Sequence, residues 1–134
     1  MNIIIVDDLS PITLTYKAIL LREGYEVEAF TKPLEALSYM QQNPDQFDLV
    51  LADLYMEEMN GIDIMLAAQN INPNVKTLCI TGGGAYDQDT SLMQTARSVA
   101  DTLAFKPIHS GQLVGMVSNL LKTTQRPAAN TQTA

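Results

Sequence analysis

Residues 3–10, IIIVDDLS, carry four β-branched apolar side chains straight into two adjacent acids, Asp7 and Asp8. A short apolar run without polar alternation reads as a strand buried on both faces, as in parallel sheets, where helices cover each side. The acids then fall at the carboxyl end of that strand, and the nearest basic residue in sequence is Lys17. The pattern recurs at residues 48–53, DLVLAD, where a second apolar run stops at Asp53. Two buried strands that each end in acid set the terms for the rest of the chain.

Working outward, Ser10 reads as a helix N-cap and Pro11 as the first helical residue, with Ile12, Tyr16, Ile19 and Leu20 at helical spacing and Gly24 as the stop. Residues 25–30, YEVEAF, alternate as a strand, and Thr31 caps a helix bearing Leu34, Leu37 and Met40. Asn43-Pro44 ends it, and Asn60-Gly61 opens a third helix with Ile62, Met65 and Leu66 on one face. Residues 75–81, VKTLCIT, form a fourth strand before the glycines at 82–84. A fourth helix is expected at about 87–98 with Leu92, Ala96 and Val99 inward, then a strand at 100–105. Ser110 is read as the cap of a last helix carrying Leu113, Val114, Val117, Leu120 and Leu121. Five strands alternating with five helices predict a doubly wound α/β domain, since parallel neighbours need right-handed crossovers. The domain is expected over 1–122, and the small polar residues 123–134 read as a frayed tail.

A chain of 134 residues suits one such domain, and 46% hydrophobic against 17% charged residues allows a real core. Eight basic residues against fifteen acids give a net charge of −7, which disfavours direct binding to nucleic acid, whose affinity rests on Lys and Arg. No apolar run approaches a membrane span, and the first residues lack the basic region of a signal peptide. The single cysteine, Cys79, reads as core, and a cytoplasmic location is expected.

In an open parallel sheet, ligands bind outside the carboxyl ends of the strands. Asp7, Asp8 and Asp53 should meet there, joined by Thr81 at the end of the fourth strand and Lys106 just after the fifth. Clustered carboxylates repel unless a cation sits among them, and an all-oxygen set favours a hard metal, Mg²⁺ by default. Acids, a metal, a hydroxyl and an ammonium are what phosphoryl transfer to an aspartate requires.

This set resembles the receiver domain of two-component response regulators, the CheY-like family, over residues 1 to about 122. The resemblance rests on VDD at 6–8, on Asp53 with the following LYMEEMNG, on Thr81-Gly82 and on Lys106-Pro107. It implies a flavodoxin-like sheet in the order 2-1-3-4-5 and a stand-alone receiver without an output domain. It implies Asp53 as phospho-acceptor, with Asp8, Asp53 and the backbone carbonyl of Tyr55 on Mg²⁺ and Asp7 holding the metal through water. Thr81 and Lys106 would each meet a phosphoryl oxygen. The donor would be a sensor histidine kinase or a histidine phosphotransfer protein, docking near the first helix and the loop before the last one. A downstream protein would read the phosphorylated form. Glu57 replaces the usual proline of the acceptor loop, and Leu103 replaces the usual aromatic three residues before the lysine. Phe105 is expected to point away from the side that aromatic would occupy. Tyr55 is expected to cover the water path to Asp53, making self-dephosphorylation slow. The rival reading is a Mg²⁺-dependent phosphohydrolase with an aspartyl nucleophile. Such enzymes carry a second Asp two residues after the nucleophile, where this chain has Tyr55.

Overall fold

Ile3 and Ile5 turn to one side of their strand and Ile4 and Val6 to the other, and the side chains they meet divide the interior into two cores. The computed structural model describes residues 1–82 and 91–122. Five parallel strands, β1 (Asn2–Val6), β2 (Glu26–Phe30), β3 (Leu49–Ala52), β4 (Lys76–Thr81) and β5 (Thr102–Phe105), lie in the order β2-β1-β3-β4-β5. The helices are α1 (Ser10–Arg22), α2 (Pro33–Gln42), α3 (Gly61–Ile71), α4 (Ser91–Val99) and α5 (Ser110–Lys122). One core lies beneath α1 and α5 and gathers Ile3, Ile5, Leu49, Leu51, Leu78 and Ile80. The other lies beneath α2, α3 and α4 and takes Ile4, Val6, Val50, Ala52 and Cys79. Both faces of the central strands are thus covered, which is why their sequences show no polar alternation.

The fold class, strand order and number of elements agree with the sequence reading. The strands are shorter than expected: β1 and β3 stop one residue before Asp7 and Asp53, so the acids lie just past the last apolar position. Three helix starts differ. The N-cap of α1 is Leu9, whose amide donates to Asp7 Oδ1 at 3.0 Å, so the Asp7 side chain begins the turn and Ser10 is already helical. The N-cap of α2 is Lys32 rather than Thr31, with no side-chain cap. At α5 the His109 carbonyl accepts from Leu113, and Gln112 Oε1 reaches back to the His109 amide, so Gln112 does the work expected of Ser110. Asn60 caps α3 as expected, accepting from the Asp63 amide at 3.0 Å.

Two inward assignments fail. Leu34 is 54% exposed and Leu66 47%, because Pro33 and Ala36 on α2, and Ile64 and Ala68 on α3, fill the buried stripe instead. The expected start of the fourth helix at 87–90, the glycines at 83–84 and the tail at 123–134 lie outside the described residues.

Helix α1 ends at Arg22 with Glu23 as its C-cap, after which Gly24 sits at φ +95°. Gly24 N–H donates to Leu21 and Tyr25 N–H to Leu20, the paired bonds of a Schellman stop. A Cβ at Gly24 would have free space, so only the backbone conformation demands glycine. Gly24→Ala should therefore lower unfolding stability by about 1 kcal/mol, measured in urea. A change near zero would show that the turn relaxes without cost.

Candidate functional site

Side chains alternate along a strand, so residues two apart share a face. Asp7 continues the series Ile3 and Ile5, Asp53 continues Leu49 and Leu51, and Lys106 continues Ala104, all on the face covered by α1 and α5. The sheet therefore aims these three groups at one another where the apolar series run out. The Asp53 amide donates to the Val6 carbonyl, and the Lys106 amide donates to the Thr81 carbonyl, each carrying the sheet bonding one step past the strand end.

Lys106 Nζ lies 2.9 Å from Asp7 Oδ2 and 3.6 Å from Asp53 Oδ1. Asp7 is 1% exposed and engages both oxygens, one with Lys106 and one with the Leu9 amide. Asp8 is half-buried beside them, and one carboxylate oxygen from each of Asp7, Asp8 and Asp53 lies within 4.8 Å of the others. Thr81 ends β4 fully buried, two residues beyond the Cys79 that pairs with Ala52. The expected cluster is therefore assembled at one sheet edge, with Thr81 on the strand next to Asp53.

Burial pushes the Asp53 carboxyl from its ordinary 3.8 up to about 6. The Lys106 ammonium pulls it down, Asp7 pushes it up, the Leu54 amide hydrogen bond lowers it and Asp8 raises it. For Lys106, burial favours the neutral amine, but the hydrogen bond and charge of Asp7 and the charge of Asp53 outweigh this, and its pKa stands above the ordinary value. One ammonium thus faces three carboxylates, leaving an excess of negative charge among hard oxygen donors. That donor set fits a divalent cation such as Mg²⁺.

The loop after Asp53 turns into α3 within a few residues. Gly61 N–H donates to the Leu54 carbonyl at 2.9 Å, and a Cβ on Gly61 would run into the Asp53 carbonyl. Glycine is required there so that the start of α3 can press against the Asp53 backbone. Gly82 is under no such demand, since an added methyl would sit 3.7 Å from Lys106 Cδ, an ordinary contact. The Tyr55 ring packs against the core beneath α3 and α4, and its hydroxyl is buried with no hydrogen-bond partner among the described residues. Phe105 does not point away from Leu103. Leu103 packs towards the α3–α4 core, and Arg97 of α4 lies over the Phe105 ring at 5.8 Å. Residues two apart on a strand share a face, and 103 and 105 obey that rule.

Sequence reasoning did not single out Tyr16. It lies on α1 at 6% exposure, near enough to Lys106, Asp7 and Asp53 for their charges to act on its phenol, whose pKa is raised mainly by burial. Its helical spacing marked it only as core.

The Asp53 shift has a testable sign. A carboxyl whose folded pKa exceeds its unfolded value binds its proton more tightly when folded, so stability falls as pH rises between about 4 and 6. In metal-free protein, Asp53→Asn should gain about 2–3 kcal/mol on the native chain between pH 4 and pH 7.5, the size of this shift at 1.36 kcal/mol per unit. Urea unfolding at the two pH values measures the gain. A difference independent of pH would mean that Asp53 ionises as freely folded as unfolded.

A family profile described as Response regulator receiver domain matches residues 3–118. The receiver protein CpdR of Brucella abortus is 31% identical over 102 residues, covering 75% of this chain and 79% of CpdR. The chemotaxis protein CheY of Thermotoga maritima is 30% identical over 123 residues, covering 90% of this chain and 98% of CheY. Among solved structures, a CheY-like receiver domain of Methanospirillum hungatei superimposes with a TM-score of 0.79 at 28% identity, over 90% of this chain and 93% of that one. With the acid cluster and Lys106 standing where the strands end, the chain belongs to the response regulator receiver domain family of two-component signalling.

Proposed function

We propose that Asp53 is the phospho-acceptor, taking a phosphoryl group from a phosphohistidine on a sensor kinase or histidine phosphotransfer protein. The observation that carries this reading is the placement of Asp53, 6% exposed, between the Lys106 ammonium and the carboxylates of Asp7 and Asp8. An Asp53 oxygen attacks phosphorus, an acyl phosphate forms, and the donor imidazole leaves with its nitrogen lone pair. Lys106 shifts its hydrogen bonding from Asp7 towards a phosphoryl oxygen, and the Thr81 hydroxyl donates to another. Asp8, Asp53 and the Tyr55 carbonyl would hold Mg²⁺ directly and Asp7 through water. Bound there, the metal supplies positive charge to the transferring phosphoryl group.

The position that would carry the general acid of an aspartyl phosphohydrolase is Tyr55, whose hydroxyl is buried, so the site supports acceptance of phosphate over turnover. Neither Tyr55 nor Gly83 offers a carboxylate or amide to hold an attacking water, and the phosphorylated form is read as long-lived. Movement of Thr81 and Lys106 would be relayed to α4, β5 and α5, where a downstream protein would bind. Among the described residues no helix is long and apolar enough to cross a membrane, in keeping with a cytoplasmic regulator.

Acetyl phosphate with Mg²⁺ should add one phosphoryl group to the native chain by intact mass, and none to Asp53→Asn or in excess chelator. Equal labelling of Asp53→Asn would remove Asp53 from the acceptor role.

The donor surface is read from α1. Leu14 and Leu21, two turns apart, are 63% and 48% exposed, and Leu9 at the helix start is 52% exposed. This helix carries Lys17 and Arg22 and no acid, in a chain of net charge −7. An apolar stripe with positive flanks suits a helical donor with acidic flanks. Leu14→Asp should slow transfer from a phosphohistidine protein by about tenfold or more while leaving acetyl phosphate labelling unchanged. Equal loss with both donors would place the defect in the acceptor site itself.

A further inference from the structure

The acceptor loop is tied down at both ends of its span, and the outer tie comes from a residue with no role so far. Helix α2 starts poorly capped: Lys32 is its N-cap without a side-chain bond, and Pro33 has no N–H to offer. Leu34 therefore carries the first helical amide in need of an acceptor. That acceptor is Glu58 Oε1, at 3.4 Å, reaching across from the loop after Asp53. A carboxylate at a helix N-terminus is favoured by the aligned peptide dipoles. Glu58 also lines a cavity of about 250 Å³ with Asp8, Thr31, Lys32, Pro33 and Glu57, which places it beside one of the candidate metal carboxylates.

The inner end of the loop is held by the Gly61–Leu54 hydrogen bond and by the tight seat of Gly61 on the Asp53 backbone. Tyr55, read above as the carbonyl ligand, lies between that inner tie and Glu58. Backbone ligands bind only as well as their loop is held, because a loose loop gives up conformational entropy when it meets the ion.

We propose that Glu58 is a positioning residue for the metal site: by accepting the Leu34 amide it pins the acceptor loop to α2 and holds the segment bearing the Tyr55 carbonyl. The inference rests on the Mg²⁺ reading of the acid cluster. It differs from a simple charge effect, in which any nearby acid raises the local concentration of cations. Glutamine keeps a side-chain carbonyl that can accept from Leu34 but carries no charge, and alanine keeps neither.

The test is a Mg²⁺ titration of the full chain, without phosphodonor, followed by backbone amide chemical shifts in native protein, Glu58→Gln and Glu58→Ala. Loss of the tie should weaken Mg²⁺ binding by about three- to tenfold in Glu58→Ala, the effect of one lost hydrogen bond, and by less than about twofold in Glu58→Gln. The gap between the variants should persist at high salt, where the influence of an exposed charge is screened. Hydrogen exchange at the Leu34 amide should quicken in the alanine variant and not in the glutamine one. Equal weakening in both variants that fades with salt would overturn the proposal in favour of charge alone. Unchanged Mg²⁺ affinity in Glu58→Ala, or unchanged Leu34 exchange, would also overturn it while leaving the metal site standing. A native chain whose shifts do not respond to Mg²⁺ would instead overturn the metal reading on which the proposal rests.

Discussion

Lys106 follows the edge strand β5, yet its ammonium crosses β4 and β3 to reach Asp7 at the end of β1, 2.9 Å away, with Asp53 at 3.6 Å. Asp7 is almost wholly out of water, and a buried carboxylate without a partner would cost several kcal/mol. The contact therefore ties the register of four strands to one ionic group. Without it, the carboxylates would be left to repel one another in a desolvated edge. With it, their charge is only partly balanced, and burial still holds the Asp53 carboxyl up at about 6 against the pull of Lys106. The same ammonium serves both carboxylates, so a group placed at Asp53 that draws on Lys106 would compete with Asp7 for it.

Around this centre the fold supplies rigidity where chemistry needs it. Gly61 lets α3 press on the Asp53 backbone, and Asn60 caps that helix, so the base of the loop after Asp53 has little freedom. At the opposite end of β4, Thr77 donates its amide and hydroxyl to Asp101, whose own amide returns a bond to the Thr77 hydroxyl. That buried network anchors the start of β5, and so the lever on which Lys106 is mounted. Farther out on the loop, Glu58 accepts the Leu34 amide at the start of α2.

On the α4–β5 face, strand alternation alone accounts for the placement of Phe105. Leu103 and Phe105 are two apart on a strand and must share a side, and the Arg97 stacking on Phe105 follows from that. Phe105, next to Lys106 in sequence, is 42% exposed, so an aromatic and a guanidinium lie together on the surface.

Much of this protein was legible in the amino-acid order. The runs IIIV and LVLA can be buried on both faces only in a covered parallel sheet, and acids directly after them can stand only at its carboxyl edge. Those constraints are local and covalent, so strand order apart, the class of fold and the members of the acid cluster followed from them. Apart from Asn60 on α3, helix starts did not, because caps are chosen by competition in space: Asp7 claimed the Leu9 amide, and Glu58, distant in sequence, took the Leu34 amide. The exposure of Leu34 and Leu66 was hidden for a related reason, since a helix rotates to bury its best-fitting stripe against a particular neighbour and not every apolar residue it carries. The raised pKa of Asp53 was beyond sequence altogether. It arises from desolvation and from three charges on two other segments, at distances that only the packed sheet defines.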